Sequence, residues 1–366
     1  MRGLRDLLES IQIFFSGIPS RWLFLFLFSF LLTFLLTPLA RSLAWKFKIL
    51  DVPDERKIHK AAIPLLGGLA IYVSYIITLF LNFAFSRELK GVVLAGTLIF
   101  LVGLVDDIRK LPASWKLVAQ IAAAAVLMGF GVKLDFLPNV WWGGAGEILL
   151  TVLWVIGLTN AVNFFDGMDG LAAGLIAISS LSFFLVGQTT SQIYLGFLAI
   201  SLAGSCLGFL KYNFKPASIF LGDAGSTFIG FTIASLAVMG GWATNDPKVA
   251  LSLPILVLSV FIFDMIYITV SRILTRRVKN FREWIDYTGK DHLHHRILSL
   301  GFTEVQTVLV IYLISACLGL GGINLRTSGT LRIYSEFLQA FFIFLIIVVL
   351  MIAGARRLRR ENSPPS

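Results

Sequence analysis

The segment WLFLFLFSFLLTFLLTPLA, from Trp22 to Ala40, runs for 19 residues without a charge. It exceeds the roughly 7–15-residue apolar core of a signal peptide and matches the ~20 residues that a helix needs to cross a bilayer. Working outward, ten further apolar stretches are bounded by charge, Pro or Gly. With the first they read 21–41, 64–85, 90–106, 115–131, 145–163, 168–187, 191–211, 218–240, 248–272, 304–323 and 335–355. The composition agrees. Of 366 residues, 57% are hydrophobic and 14% charged, with 32 Phe and 8 Trp, against about 45–50% apolar and about 25% charged in soluble domains. Intrinsic disorder, a collagen-like fibre and a disulfide-stapled secreted domain are excluded. Lipid leaves only helices or a closed barrel to satisfy the backbone, and the continuous Leu/Phe-rich runs lack a barrel's alternation. The sequence predicts an all-α, polytopic membrane helix bundle of about eleven transmembrane helices, one domain over 1–366. Cys206 and Cys317 both lie in apolar stretches and read as small buried hydrophobes.

The formal net charge is +10, from 31 Lys and Arg against 21 Asp and Glu. In a soluble protein this would point to nucleic acid. In a membrane protein it is the positive-inside bias, and no nucleic-acid partner is expected. Most of the 31 cations fall in or beside segments 42–63, 107–114, 164–167, 212–217, 273–303 and 356–366. Those segments are therefore assigned to the cytoplasm, with the N-terminus outside and the C-terminus inside.

Polar residues that resist so apolar a composition mark function, and five places stand out. The loop Asp51-Val-Pro-Asp-Glu-Arg-Lys-Ile-His-Lys60 is dense in cations and leads to the Gly67-Gly68 pair; it reads as a topogenic loop or as the rim of a site for a phosphate-bearing substrate. Asp106 and Asp107 end an apolar helix, where two adjacent carboxylates oppose the helix dipole and each other; a metal or an exchangeable proton would explain them. In Asn160-Ala-Val-Asn163-Phe-Phe-Asp166-Gly-Met-Asp169-Gly170, the residues Asn163, Asp166 and Asp169 recur every third position, and no Lys or Arg offsets the two acids. Asp223 follows Asn213-Phe-Lys-Pro-Ala-Ser-Ile-Phe220-Leu-Gly222 and opens an apolar run, so it reads as an N-cap or as a ligand for a hard cation. Finally, Asp291-His292-Leu-His294-His295-Arg296 gathers three of the four histidines. It lacks a closed zinc set and reads better as anion and sugar recognition. Asp264, in the middle of an apolar stretch, must face a cavity or a donor.

These places, in this order over roughly residues 45–300, resemble the polyprenyl-phosphate N-acetylhexosamine-1-phosphate transferases. That family includes the phospho-MurNAc-pentapeptide translocase and the undecaprenyl-phosphate GlcNAc-1-phosphate transferases. The resemblance makes Asp106 and Asp107 the acidic pair at the phosphoryl-transfer centre, with Asp223, and Asp106 beside it, as ligands of Mg²⁺, Mn²⁺ being an admissible substitute. It places Lys60, Asn163, Asp166, Asp169, Asn213 and Phe220 on the nucleotide side. His292, His294, His295 and Arg296 fall on a loop over the sugar-phosphate. The His-Leu-His-His spelling and the eleven stretches resemble the GlcNAc branch. The implied partners are UDP-GlcNAc, undecaprenyl phosphate and the lipid bilayer, in a bacterial inner membrane with the site on the cytoplasmic face; a homodimer is compatible. The competing readings are the pentapeptide transferase and, from another class, an ion-coupled transporter. Against the transporter, the acids gather at one face and no inverted repeat is visible.

Overall fold

The computed structural model describes residues 18–52, 61–81, 85–137, 141–242, 247–276, 278, 289, 291–325 and 330–361. In chain order the elements are α1 (Ile18–Phe47), β1 (Leu50–Asp51), β2 (Ile63–Pro64), α2 (Gly67–Phe80), α3 (Arg87–Arg109), α4 (Ala113–Gly129) and α5 (Trp141–Phe165). There follow α6 (Leu171–Thr189), α7 (Ile193–Asn213), α8 (Gly222–Met239), α9 (Pro247–Val257), α10 (Ser259–Leu274), α11 (Leu293–Leu298), α12 (Glu304–Leu325) and α13 (Thr330–Glu361). The chain is a multi-pass helical membrane protein. Every apolar stretch of the sequence contains a helix, but the stretches are unequal. Among the described residues seven helices are long and apolar enough to cross a membrane, or eight if the bent pair α9–α10 is one span. Gly67–Phe80, Ala113–Gly129 and Ile333–Val349 are shorter apolar helices.

Two departures from the simple reading have local causes. The helix α2 opens only at Gly67 because Ile63-Pro64 is taken up in a short antiparallel ladder with Leu50-Asp51. The stretch 248–272 is broken at Leu258, where φ is −102° and ψ 11°, and the two halves meet at 79°. Pro254, lacking an N–H, weakens the turn before that break. A third departure concerns Cys317, which is exposed, whereas Cys206 is buried as expected.

α8 forms the axis, packed between α3 and α5 and against α2, while α7 lies between α1 and α6. α8 is the least apolar of the spanning helices, with mean hydropathy 1.2 and 89% of its span buried, whereas α1 has hydropathy 2.4 and 28% buried. A helix facing lipid must be apolar all round; one surrounded by protein can carry Ser, Thr and Gly. Its start is closely hemmed in. A Cβ on Gly68 of α2 would lie 2.3 Å from the Gly225 Cα, and Gly222 has φ +71° with the Asp107 carboxylate against it. Only glycine admits that crowding.

Candidate active site

Because successive helices alternate in direction, the C-terminal ends of α3, α5 and α7 meet the N-terminal ends of α4, α6 and α8 at one end of the bundle. The acidic residues of the sequence collect there. Asp106 and Asp107, in the last turn of α3, are both buried. Asp107 accepts hydrogen bonds from the backbone N–H groups of Asp223 (2.7 Å) and Ala224 (3.0 Å). It thus caps the first turn of α8 from a neighbouring helix, where the dipole favours a negative charge. Asp223 itself makes no cap bond. Its carboxylate, relieved of capping, accepts from Lys116 Nζ at 3.1 Å and from Asn163 Nδ2 at 3.2 Å. Lys116 also reaches Asp106 Oδ2 at 3.3 Å, and the other Asp106 oxygen accepts the Leu111 N–H. Asn163 completes the group by donating to Ser226 Oγ at 2.8 Å.

Next to this group lies the turn between α5 and α6. Asp166 is half-buried there, and its carboxyl is held well above the usual carboxylate range. Desolvation is the main cause, followed by the charges of Asp223, Asp107, Asp169 and Asp51. The turn is fastened to the segment after α7. Asn213, buried at the end of α7, accepts the Gly170 N–H at 3.1 Å and donates to the Ile219 carbonyl at 3.0 Å. Asp169 accepts the Ala217 N–H at 2.9 Å, and Lys215 joins Asp169 (3.6 Å) to Glu304 (2.7 Å). Gly170 takes φ +78°, and its carbonyl accepts the Tyr312 hydroxyl from α12. Phe220 is half-buried beside β2: its N–H donates to the Pro64 carbonyl and its own carbonyl accepts the Gly67 N–H.

The histidine segment closes the far side. His292 Nδ1 lies 2.7 Å from Asp264 Oδ2 on α10, and its ring packs on Phe164 with centroids 5.2 Å apart. His294 is buried next to Gly167, and among the described residues neither ring nitrogen has a partner. Burial, and secondarily the charges of His295 and His292, hold it well below the usual histidine range. The His295 ring lies tilted against that of His294, with centroids 4.3 Å apart. Arg296 gives its Nε to the Asp291 carbonyl and lies 5.0 Å over the Tyr267 ring. Asp291 is locked bidentately by Arg272, at 2.9 and 2.8 Å.

The structure thus brings Asp106, Asp107, Asn163 and Asp223 into one hydrogen-bonded group, adjoined by Asp166, Asp169, Asn213 and Phe220 and faced by His292, His294, His295 and Arg296. Lys60 lies outside the described residues. Lys116, which joins Asp106 to Asp223, was missed. Its signal was a lysine in the first turn of an apolar helix, where the dipole repels a cation. Among the described residues no three His, Cys, Asp or Glu side chains form a metal cage. The pair Asp106 and Asp223 offers hard oxygen donors of the kind Mg²⁺ takes when waters and substrate phosphates supply the rest.

The glycosyl transferase family 4 model matches residues 89–241, which span α3 to the end of α8. A probable undecaprenyl-phosphate N-acetylglucosaminyl 1-phosphate transferase of Bacillus subtilis (strain 168) is 33% identical over 321 residues, covering 86% of each chain. The chain belongs to this transferase family. A phospho-N-acetylmuramoyl-pentapeptide-transferase of Heliobacterium modesticaldum is 33% identical over 77% of this chain and 90% of its own length. The undecaprenyl-phosphate alpha-N-acetylglucosaminyl 1-phosphate transferase of Escherichia coli (strain K12) is 27% identical over 85% and 83%.

Proposed function

We propose that the protein transfers GlcNAc-1-phosphate from UDP-GlcNAc to undecaprenyl phosphate, releasing UMP, as the first membrane step of a cell-envelope polysaccharide. The observation that carries this reading is the meeting of Asp106 and Asp223 on one lysine, at the end of the bundle where the acid-rich turns also converge. Polyprenyl-phosphate sugar-1-phosphate transfer is also what the names of the relatives share. The site end carries the cation-rich segments and is assigned to the cytoplasmic face of a bacterial inner membrane. Eleven spans, with the N-terminus outside, give every long loop a consistent side.

In the reaction a phosphate oxygen of the lipid attacks the β-phosphorus of the donor. The bond from that phosphorus to the bridging oxygen breaks, and UMP leaves with the electron pair. Protein groups mainly position two anions and offset their charge. Asp107, bound to the α8 amides, and Asp106, bound to the Leu111 N–H and Lys116, are the two candidates to take the last proton of the lipid phosphate, a modest task for a group with second pKa ~6. Lys116 then neutralises the charge that accumulates between Asp106 and Asp223. Mg²⁺ held by Asp223 and Asp106 would polarise the pyrophosphate and stabilise the leaving UMP. Asn163 orients the Asp223 carboxylate, and Asp166, Asp169, Phe220 and, by the resemblance, Lys60 are assigned to the nucleotide. An already ionised phosphate needs no covalent enzyme intermediate, so single displacement is favoured.

The test is UMP release by the purified full chain with Mg²⁺, undecaprenyl phosphate and a choice of donors. Turnover with UDP-GlcNAc and none with UDP-MurNAc-pentapeptide supports the reading. The reverse pattern assigns the protein to the pentapeptide branch.

A further inference from the structure

We infer that Asp264 is a positioning residue that fixes the tautomer of His292; its role in the reaction rests on the transferase reading above. Asp264 is buried in α10, within the broken span, where a carboxylate is costly. Both its oxygens are used on one short piece of chain. Oδ1 accepts the Leu293 N–H at 2.6 Å, and Oδ2 lies 2.7 Å from His292 Nδ1. An ionised carboxylate offers no donor, so the imidazole nitrogen facing it must carry the proton.

Nε2, at the opposite end of the ring, is then left with a lone pair. The ring lies against Phe164, which follows Asn163 in the chain, and against His294, to which it is nearly parallel at 11°. This end of His292 is therefore an acceptor beside the acid-rich turn, suited to a hydroxyl, an amide N–H or a proton of the sugar-phosphate. Its surroundings hold it rigidly. The bidentate Arg272–Asp291 pair and the Arg296 bond to the Asp291 carbonyl pin the residue before it, and the Leu293 bond pins the residue after it. An uncharged acceptor would have anchored the loop at lower cost in a span. A carboxylate adds the fixed tautomer and support for an imidazolium, should His292 take a proton.

The isosteric Asp264→Asn variant isolates this. The Leu293 N–H keeps the amide oxygen opposite it, so the amide NH₂ faces Nδ1 and drives the proton to Nε2. The expected result is a fall in kcat on the order of 10²–10⁴, with UDP-GlcNAc affinity within about tenfold of wild type. Asp264→Glu, which keeps an acceptor, should recover part of the loss. In a His292→Ala background Asp264→Asn should add less than about threefold, because a residue that acts through another has nothing left to act on. A kcat for Asp264→Asn within about threefold of wild type, or an equal loss in both backgrounds, overturns the assignment. With four histidines in the chain, ¹⁵N spectra of the detergent-solubilised wild type and His292→Ala identify the His292 signals without any turnover. Protonation at Nδ1 supports the assignment, and at Nε2 refutes it. A wild type that shows Nδ1–H yet releases no UMP from any donor refutes the transferase reading and leaves Asp264 in its place.

Discussion

Two sets of charges meet at the same end of the bundle and are held in opposite ways. Around Asp223, the carboxylates of Asp106 and Asp223 share one lysine, Asp107 is held by helix amides, and burial together with the neighbouring acids holds Asp166 well above the usual carboxylate range. Around His292 each polar group has its own partner, Asp264 for His292 and Arg272 for Asp291. The acidic side carries more negative charge than its own side chains offset, as suits a place that receives a cation and a substrate. The histidine side is complete in itself, as suits a rigid wall. Charge on one side is there to be answered; on the other it sets geometry.

The contrast predicts unequal sensitivity. Asp223→Asn should give the largest effect, a loss of turnover exceeding ~10³-fold with normal insertion, since Asp223 meets the cleft and caps nothing. Activity within about tenfold of wild type would make it a structural residue. Lys116→Met comes next: kcat should fall on the order of 10²-fold, and thermal stability should fall too, because Asp106 and Asp223 are left facing each other. A variant that melts higher than wild type would show that a bound cation already answers those acids. Asn213→Ala is expected to act on stability first, by about 1–3 kcal/mol, since it strands the Gly170 N–H and the Ile219 carbonyl. Loss of nucleotide affinity without loss of stability would return Asn213 to direct nucleotide contact.

The smallest effects are in pH dependence, and they run in opposite directions on the two sides. Asp166 has a folded value above its unfolded one, so the unfolded state loses its proton first. Metal-free protein should lose stability as pH rises from about 4 toward the elevated folded value, and Asp166→Asn should flatten that slope. His294 has a folded value below its unfolded one. Its contribution is present above pH ~6.5 and is lost as pH falls toward the folded value, since the unfolded chain binds the proton first. Melting curves across pH on both variants measure the two signs. A His294→Gln variant with the same acid slope as wild type would remove His294 as its source.

Much of this was legible in the sequence, for physical reasons. Trp22–Ala40 reads as a span because 19 residues carry no charge, and Asp106-Asp107 stands out because adjacent acids at a helix C-terminus oppose the dipole. Asp264 was visible as an expensive residue but not as the partner of His292, because 28 residues of chain separate them. Lys116 was hidden among the cations that sidedness already explains. The division of labour between Asp107 and Asp223 could not be read either. Capping by a residue 116 positions away leaves no local pattern, so the sequence left Asp223 open as either a cap or a cation ligand. Hydropathy separates only the extremes, the exposed α1 at 2.4 from the central α8 at 1.2.

The central claim is that a phosphosugar, not a sugar, passes to the lipid. Donor UDP-GlcNAc labelled with ³²P in the β-phosphate distinguishes the two directly. The account predicts that the label moves into the organic phase with undecaprenyl phosphate, one equivalent for each UMP released, and that Asp223→Asn abolishes both. Label remaining in the aqueous phase as UDP while the sugar enters the lipid would contradict it.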